Sequence, residues 1–331
     1  MEEVLARAVG AEYVGRLAPS PTGALHLGNA RTFMVAWLRA RSVGGKVIMR
    51  MEDLDHPRDK PGAAEQALED LRWLGFDWDE EHVQSERRPV YRGALAELRR
   101  QGLAYPCVCS RRDVEAAQSA PHDGEQLYYP GTCRGRFSSW SEAYSFLNPS
   151  TPPLTHPSNP PRFPCWRFKV EPGTSVAFDD AFAGHFEQDV SRTLGDFPLA
   201  RDEDGAGYTL AATVDDMLMG VTEVVRGDDL LAATPAQVLV ARALAGWTGA
   251  RPPSFCHVPL VVGPDGRRLA KRHGDTRIAS FRARGVQPEA VIGLLAASCG
   301  WCGPDDRISL AALLPRFDLS SVPRAPFVFR G

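Results

Sequence analysis

The sequence predicts an α/β fold organised around a mostly parallel sheet, and three observations carry that expectation. Short apolar runs alternate along the chain with amphipathic segments of helical length. A turn rich in proline and glycine at 16–29 feeds directly into a segment with helical apolar spacing. A late apolar run, His257–Gly263, ends at a Gly-Pro-Asp-Gly turn and delivers a cationic segment.

In order along the chain, RLAPSPTGALHLGN (Arg16–Asn29) comes first. Pro19 and Pro21 lack N–H groups and cannot continue a helix. Gly23 permits a tight turn, and Gly28 permits close approach of a ligand. Ala30–Ala40 then reads as a helix, with Phe33, Met34, Trp37 and Leu38 at helical spacing. A helix N-terminus facing a cavity is a ready anion site, and His26 and Asn29 sit where their side chains reach it. Lys46–Asp55 reads as a strand entering an acidic turn, after the Gly44-Gly45 break. Ala63–Leu74 and Tyr91–Gln101 read as amphipathic helices closed by Gly75 and Gly102. LAYPCVCS then reads as a strand bringing in two cysteines.

Pro149–Pro164 is too proline-dense for helix or central strand and reads as an exposed loop, followed by strand-like CWRFKVE. Tyr208–Val214 and Val221–Val225 read as buried strands. Thr234-Pro235 offers an N-cap and a first-turn proline to a helix ending at Gly246. His257–Gly263 reads as one more strand, and Pro288–Ala297 as a late helix. No internal repeat is visible.

Composition bounds the function. The 331 residues suit about two domains. Hydrophobic content of 44% and charged content of 24% are those of an ordinary globular protein. A net charge of −3 supplies no global basic field, so nucleic-acid contact must rest on local patches and DNA is not expected as a partner. No apolar run approaches the roughly 20 residues of a membrane span, and the acidic N-terminus lacks a signal-peptide layout, so a cytoplasmic protein without a membrane partner is expected.

Seven cysteines, odd and sparse, favour thiols or metal ligands over disulfides. Cys107 and Cys109 share one face if they lie on a strand. With Cys133 they point to a structural zinc, which takes four tetrahedral ligands. For the fourth, His122 and Asp123 are the chemically usual candidates, and tyrosine is not one that chemistry alone selects. Cys165, Cys256, Cys299 and Cys302 read as packing residues.

The string PSPTG-x-LHLGN resembles the first signature of class I aminoacyl-tRNA synthetases, in which a strand turns into a helix beneath ATP. RRLAKRHGDT (Arg267–Thr276) is similar to their lysine-serine-lysine loop, with Ala270 where the common form has serine. A short cationic loop of this kind neutralises charge that develops on a polyphosphate. The stretches GYTLAATVDDMLMGVTEVVRGDDLLAATPAQ and HVPLVVGPDGRRLAKRHGDTRIAS resemble the glutamyl-tRNA synthetase group, and the likeness runs from Tyr13 to about Asp305. It implies a class I Rossmann-like nucleotide-binding fold with an inserted zinc-bearing subdomain and a small helical C-terminal remnant. The implied division is 1–104 and 196–263 for the two catalytic halves, 105–195 for the insertion, and 264–331 for the lysine loop and remnant.

The same resemblance implies ATP as a substrate with Mg2+. It places L-glutamate against Arg16, Leu17, Ala18, Pro19, Ser20, Glu52, Tyr208 and Arg226. Arg16 and Arg226 suit carboxylate recognition, and Glu52 suits the ammonium. ATP is implied at His26, Gly28, Asn29, Lys271 and Arg272, with His26 and Lys271 as the catalytic groups. Short relatives carry Cys-x-Cys followed by Tyr-x-x-x-Cys, so the resemblance implies Cys107, Cys109, Tyr129 and Cys133 as ligands of one Zn2+. Only some 50 residues follow the Lys271 loop, too few for an anticodon-reading domain of normal size. That shortness resembles the glutamyl-queuosine tRNA(Asp) synthetase family. It implies transfer of activated glutamate to the queuosine base of tRNA-Asp. A truncated glutamyl-tRNA(Glu) synthetase and a non-catalytic tRNA- or nucleotide-binding paralogue are the alternatives, and the intact His26, Lys271, Arg16 and Arg226 weigh against the second.

Overall fold

The computed structural model describes residues 12–54, 59–117, 128–149, 161–203, 205–269 and 275–330. β1 (Val14–Leu17) leads into α1 (Leu27–Arg41), and β2 (Lys46–Met51) returns parallel to β1 with Gly15 opposite Val47. β2 is buried from Val47 onward on both faces, as a parallel strand between two helical layers must be. α1 begins earlier than its apolar spacing indicates, because His26 caps it. α2 (Ala63–Trp73), β3 (Glu80–Val83) and α3 (Arg88–Arg100) follow, with β3 parallel to β2.

β4 (Ala104–Cys107) stops at Cys107. Cys109 therefore lies beyond the strand, and strand alternation is not what places it beside Cys107. α4 (Arg111–Ala117) and α5 (Trp140–Leu147) intervene before β5 (Cys165–Phe168), which pairs antiparallel with β4, Cys165 opposite Cys107. His122, Asp123 and residues 150–160 of the proline-rich stretch lie outside the described residues. β6 (Ser175–Asp180) and β7 (Gly184–Asp189) form an antiparallel hairpin, and β8 (Phe197–Ala200) pairs antiparallel with β5.

The run expected as a strand at Tyr208–Val214 is instead helix α6 (Tyr208–Leu218). Its threonine, valine and tyrosine favour a strand locally. However, the stretch between Gly207 and Gly220 has helical length, and Leu210, Ala211, Val214 and Met217 recur at helical spacing and are buried. Asp215 and Asp216 are both buried within this helix. β9 (Glu223–Gly227) starts two residues later than its apolar run. In α7 (Thr234–Thr248) the cap residue is Ala233, and Thr234 is already helical, its hydroxyl donating to the Leu230 carbonyl at 2.9 Å. The helix passes Gly246 and ends at Gly249, whose φ of 65° is the left-handed value glycine accommodates. The expected single strand at 257–263 is split into β10 (Ser254–Val258) and β11 (Val261–Val262). Pro259 between them has no N–H for a ladder.

β9, β10 and β6 run parallel, with β7 antiparallel at the edge. β1 and β9 meet where the Thr222 N–H donates to the Val14 carbonyl at 2.9 Å and the Val14 N–H to Thr222 Oγ1 at 3.0 Å. The main sheet is thus mostly parallel, whereas β4, β5 and β8 form a separate antiparallel sheet. The chain winds outward in opposite directions from the β1–β9 junction, and the crevice at the carboxyl ends of such strands is where open α/β sheets bind ligands. α1 packs in the hydrophobic core on one side of the sheet, and α3, α6 and α7 in that on the other.

The C-terminal stretch carries α8 (Ile278–Ala283), α9 (Pro288–Ala297) and β12 (Phe327–Val328), which pairs with β11. Buried Arg31 of α1 ties it down: Nε donates to Ser298 Oγ at 2.8 Å and Nη1 to the Pro259 carbonyl at 2.7 Å. Contrary to the sequence reading, one continuous helical stretch, Asp228–Thr248, has the length and mean hydropathy to cross a membrane. In this fold Val238, Val240 and Leu244 of that stretch are core residues.

Candidate active site

A cavity of about 580 Å³ opens at the β1–β9 junction. Arg16, Ala18, Pro19 and Ser20 reach it from the end of β1, Glu52 from the end of β2, and Arg226 from β9. His26, Gly28 and Asn29 reach it from the start of α1, and Tyr208 from the start of α6. Leu17 does not; its side chain is fully buried in the core. Lys271 and Arg272 lie outside the described residues.

Arg16 and Arg226 are both buried and anchored. Arg16 Nη1 donates to the Val225 carbonyl at 2.7 Å, bridging β1 to β9. Its Nε lies 3.6 Å from Asp216 Oδ1 and makes no hydrogen bond. Burial pulls the Arg16 guanidinium below its ordinary pKa, with Asp216 opposing, yet an arginine stays cationic. Arg226 donates from Nε to His257 Nε2 at 2.9 Å, from Nη2 to Thr234 Oγ1 at 2.8 Å, and from Nη1 to the Tyr208 hydroxyl at 3.2 Å. His257 Nδ1 lies 2.6 Å from Asp180 Oδ2. Burial, opposed by Asp180 and aided by Arg226, holds His257 below its usual pKa, so it is neutral. Tyr208 is 45% exposed because its ring faces the open cavity rather than the core.

Glu52 Oε1 accepts from Arg50 Nη2 at 2.9 Å. Burial raises the Glu52 pKa, against the pull of Arg50 and Arg16. Arg50 Nη1 donates to Asp216 Oδ1 at 2.6 Å. Asp215 accepts from Arg87 Nε at 2.7 Å, Gln84 Nε2 at 2.9 Å and the Tyr91 hydroxyl at 2.7 Å. The two adjacent carboxylates of α6 thus hold Arg87 and Arg50, and Arg50 in turn holds the pocket residue Glu52. The strand expectation for 208–214 hid this, because successive residues of a strand point to opposite faces of a sheet.

His26 satisfies the first turn of α1 itself. Its Nδ1 accepts from the N–H groups of Gly28 at 3.1 Å and Asn29 at 3.4 Å, while Asn29 Oδ1 accepts the His26 N–H at 3.3 Å. The expected bare anion site at this helix end is therefore already capped. With Nδ1 accepting, the proton resides on Nε2, which becomes a neutral donor. Burial, with help from Arg268, lowers the His26 pKa to about 4. Gly28 serves this ring: a Cβ there would stand 2.9 Å from His26 Cε1.

The described residues flanking Lys271 are anchored at this site. Arg268 and Leu269 line the cavity, and Arg268 Nη1 pairs with Asp229 Oδ2 at 2.8 Å. Beyond it, Thr276 accepts the Leu27 N–H at 3.0 Å, and the Ile278 N–H donates to Leu25 at 2.9 Å.

A separate cluster lies at the end of β4. The sulfurs of Cys107, Cys109 and Cys133 all lie within 4.8 Å of one another. Cys109 and Cys133 are 3.6 Å apart, and the Tyr129 hydroxyl is 3.3 Å from Cys107 Sγ and 3.7 Å from Cys109 Sγ. A tetrahedral zinc with ordinary bond lengths sets sulfurs about 3.8 Å apart and sulfur to oxygen about 3.5 Å. The donor set therefore fits such an ion. Arg167 backs it, donating from Nε to Cys107 Sγ at 3.2 Å with its guanidinium carbon 3.8 Å from the centre of the Tyr129 ring. All seven cysteines are free thiols.

Sequence reasoning missed Asp180, His257 and Arg50. Asp180 and His257 are 77 positions apart, and no local pattern links them.

Residues 12–308 match the family described as tRNA synthetases class I (E and Q), catalytic domain. A protein of Symbiobacterium thermophilum named glutamyl-Q tRNA(Asp) synthetase is 46% identical, the alignment covering 94% of each chain. One of the same name from Rhodopirellula baltica is 45% identical over 95% of this chain and 96% of that one. A glutamate–tRNA ligase of Aquifex aeolicus is 38% identical over 95% of this chain but only 63% of its own. Among solved structures, a glutamate tRNA ligase from Elizabethkingia meningosepticum in complex with its amino acid aligns with a TM-score of 0.76 at 28% identity, covering 96% of this chain and 67% of that one.

Proposed function

Because this chain belongs to the class I tRNA synthetases for glutamate and glutamine (E and Q), we propose that it activates L-glutamate with ATP and transfers it to the queuosine base in the anticodon of tRNA-Asp. The observation that carries the amino acid is the convergence of two anchored arginines, Arg16 and Arg226, with the Glu52 carboxylate in one cavity. The arginines match glutamate's carboxylates, and Glu52 matches its ammonium. The relatives named glutamyl-Q tRNA(Asp) synthetase are 45–46% identical and align over nearly their whole length, whereas the glutamate–tRNA ligase is 38% identical and aligns over 63% of its own. That contrast favours the queuosine acceptor.

In this reading an α-carboxylate oxygen attacks the α-phosphorus of ATP and pyrophosphate leaves, giving glutamyl-adenylate. A hydroxyl of the queuosine cyclopentenediol then attacks the acyl carbon, forming an ester and releasing AMP. No enzyme group is acylated. His26 Nε2–H donates to a phosphate oxygen without carrying charge, and Lys271 with Arg268 supplies the charge. Magnesium, when bound, neutralises phosphate oxygens. Cys107, Cys109, Tyr129 and Cys133 would hold one structural zinc, which would tie the segment after β4 together. These substrates place the reaction in the cytoplasm.

Transfer of labelled glutamate to two purified acceptors tests the reading. Labelling of queuosine-containing tRNA-Asp, lost when queuosine is absent, is the expected result. Labelling of tRNA-Glu instead would make the chain a short conventional synthetase. No glutamate-dependent pyrophosphate exchange at all would overturn the activation chemistry.

A further inference from the structure

Arg226 is held by a buried chain of groups that carboxylate binding alone does not require. We infer that Asp180 and His257 are positioning residues that set glutamate specificity, by making Arg226 present only its Nη1–Nη2 end to the substrate; this rests on the reading of the cavity as a glutamate site.

Asp180 lies at the end of β6. Its carboxylate accepts the backbone N–H groups of His257 at 3.0 Å, Phe182 at 2.9 Å and Ala183 at 2.7 Å, so it is fixed in place. A carboxylate only accepts. The contact at 2.6 Å to His257 Nδ1 therefore requires the proton on Nδ1 and leaves a lone pair on Nε2. That lone pair accepts Arg226 Nε–H at 2.9 Å. Thr234 uses its own proton on the Leu230 carbonyl, so its oxygen accepts Arg226 Nη2 at 2.8 Å. The Nε–Nη2 edge of Arg226 is thereby filled by protein.

Five N–H groups belong to a guanidinium. With Nη1 giving one to Tyr208 at 3.2 Å, one hydrogen on Nη1 and one on Nη2 remain. Two parallel donors match a carboxylate bidentately. The amide of glutamine offers one acceptor and one NH2, and the latter would face an N–H. A site built this way rejects the amide because a donor is left opposing a donor. A sliding or rotated Arg226 could meet a lone amide oxygen with either edge, so discrimination depends on the Asp180–His257 lock.

Asp180→Asn, His257→Gln, His257→Leu and the double variant Asp180→Asn/His257→Gln test this by pyrophosphate exchange with glutamate and with glutamine. Asparagine at 180 can donate to Nδ1, which moves the proton to Nε2 against Arg226. The expected result is a rise of about 30-fold in the KM for glutamate, an unchanged KM for ATP, and at least about a tenfold loss of preference over glutamine. His257→Leu should behave alike. His257→Gln keeps an acceptor and should stay within about threefold of wild type, and adding Asp180→Asn to it should then cost little. Equal loss in both KM values and kcat, or the same Asp180→Asn cost in either background, would overturn the inference and leave Asp180 purely structural. Histidine 15N shifts in the wild type give a readout independent of activity: a proton on Nδ1 is expected, and a proton on Nε2 would refute the lock. Absence of glutamate-dependent exchange in the wild type would instead remove the glutamate reading.

Discussion

Gly28 lies against the imidazole of His26, so closely that a Cβ at position 28 would stand 2.9 Å from Cε1 and 3.0 Å from Nδ1. The glycine of the HLGN string is thus a seat for the histidine. Gly28→Ala should push the ring off its two N–H partners. Loss of such a cap costs about 0.5–2 kcal/mol, and misplacing the donor should slow pyrophosphate exchange about 100-fold. Exchange kinetics and urea denaturation on the same preparation check both effects; unchanged kinetics would show that the ring has no role.

His26 also gives a pH dependence. Its folded pKa is about 4, below the 6.5 of the free side chain. Between these values the unfolded chain binds a proton that the folded chain does not, so stability falls as pH drops from 6.5 towards 4. His26→Asn keeps a capping acceptor and should flatten that part of the thermal-unfolding profile. An identical profile would place the pH dependence elsewhere.

The Cys107, Cys109, Cys133 and Tyr129 arrangement predicts one zinc per purified chain. Cys109→Ser should lower that content and the thermal midpoint together, because structural zinc binding contributes to folding. Cys165→Ser should retain the metal, since Cys165 lies outside the group of three clustered thiols. Elemental analysis decides; a metal-free wild type would reduce the cluster to packed thiols.

Asp215 receives Arg87, Gln84 and Tyr91 in a buried layer. Asp215→Ala leaves Arg87 and these polar groups unpaired, and should destabilise the chain by about 3–5 kcal/mol. Urea unfolding measures this directly, and a loss below about 1 kcal/mol would show that water replaces the carboxylate.

Lys271→Ala should reduce adenylate formation far more than glutamate binding, because the lysine addresses the phosphates. Calorimetry with glutamate alone separates the two, and equal loss would refute that role.

The sequence by itself determined the mostly parallel α/β class and the helix behind HLGN, because these depend on local spacing and turn chemistry, whereas the pocket residues and Tyr129 were indicated by the resemblance to the glutamyl-tRNA synthetase group. The position of α1 follows from Pro19, Pro21 and the capping His26 within a dozen residues. Tertiary structure decided what local preference left open. The Tyr208 segment became a helix because burial against α3 and α7 outweighed its strand-favouring residues. That choice aimed Asp215 and Asp216 at their arginines. Tertiary structure alone brought Asp180 to His257 across 77 positions, because β6 lies next to β10 in the sheet. Hydrogen bonds between distant strands depend on sheet order, and sheet order is fixed by packing of the whole core.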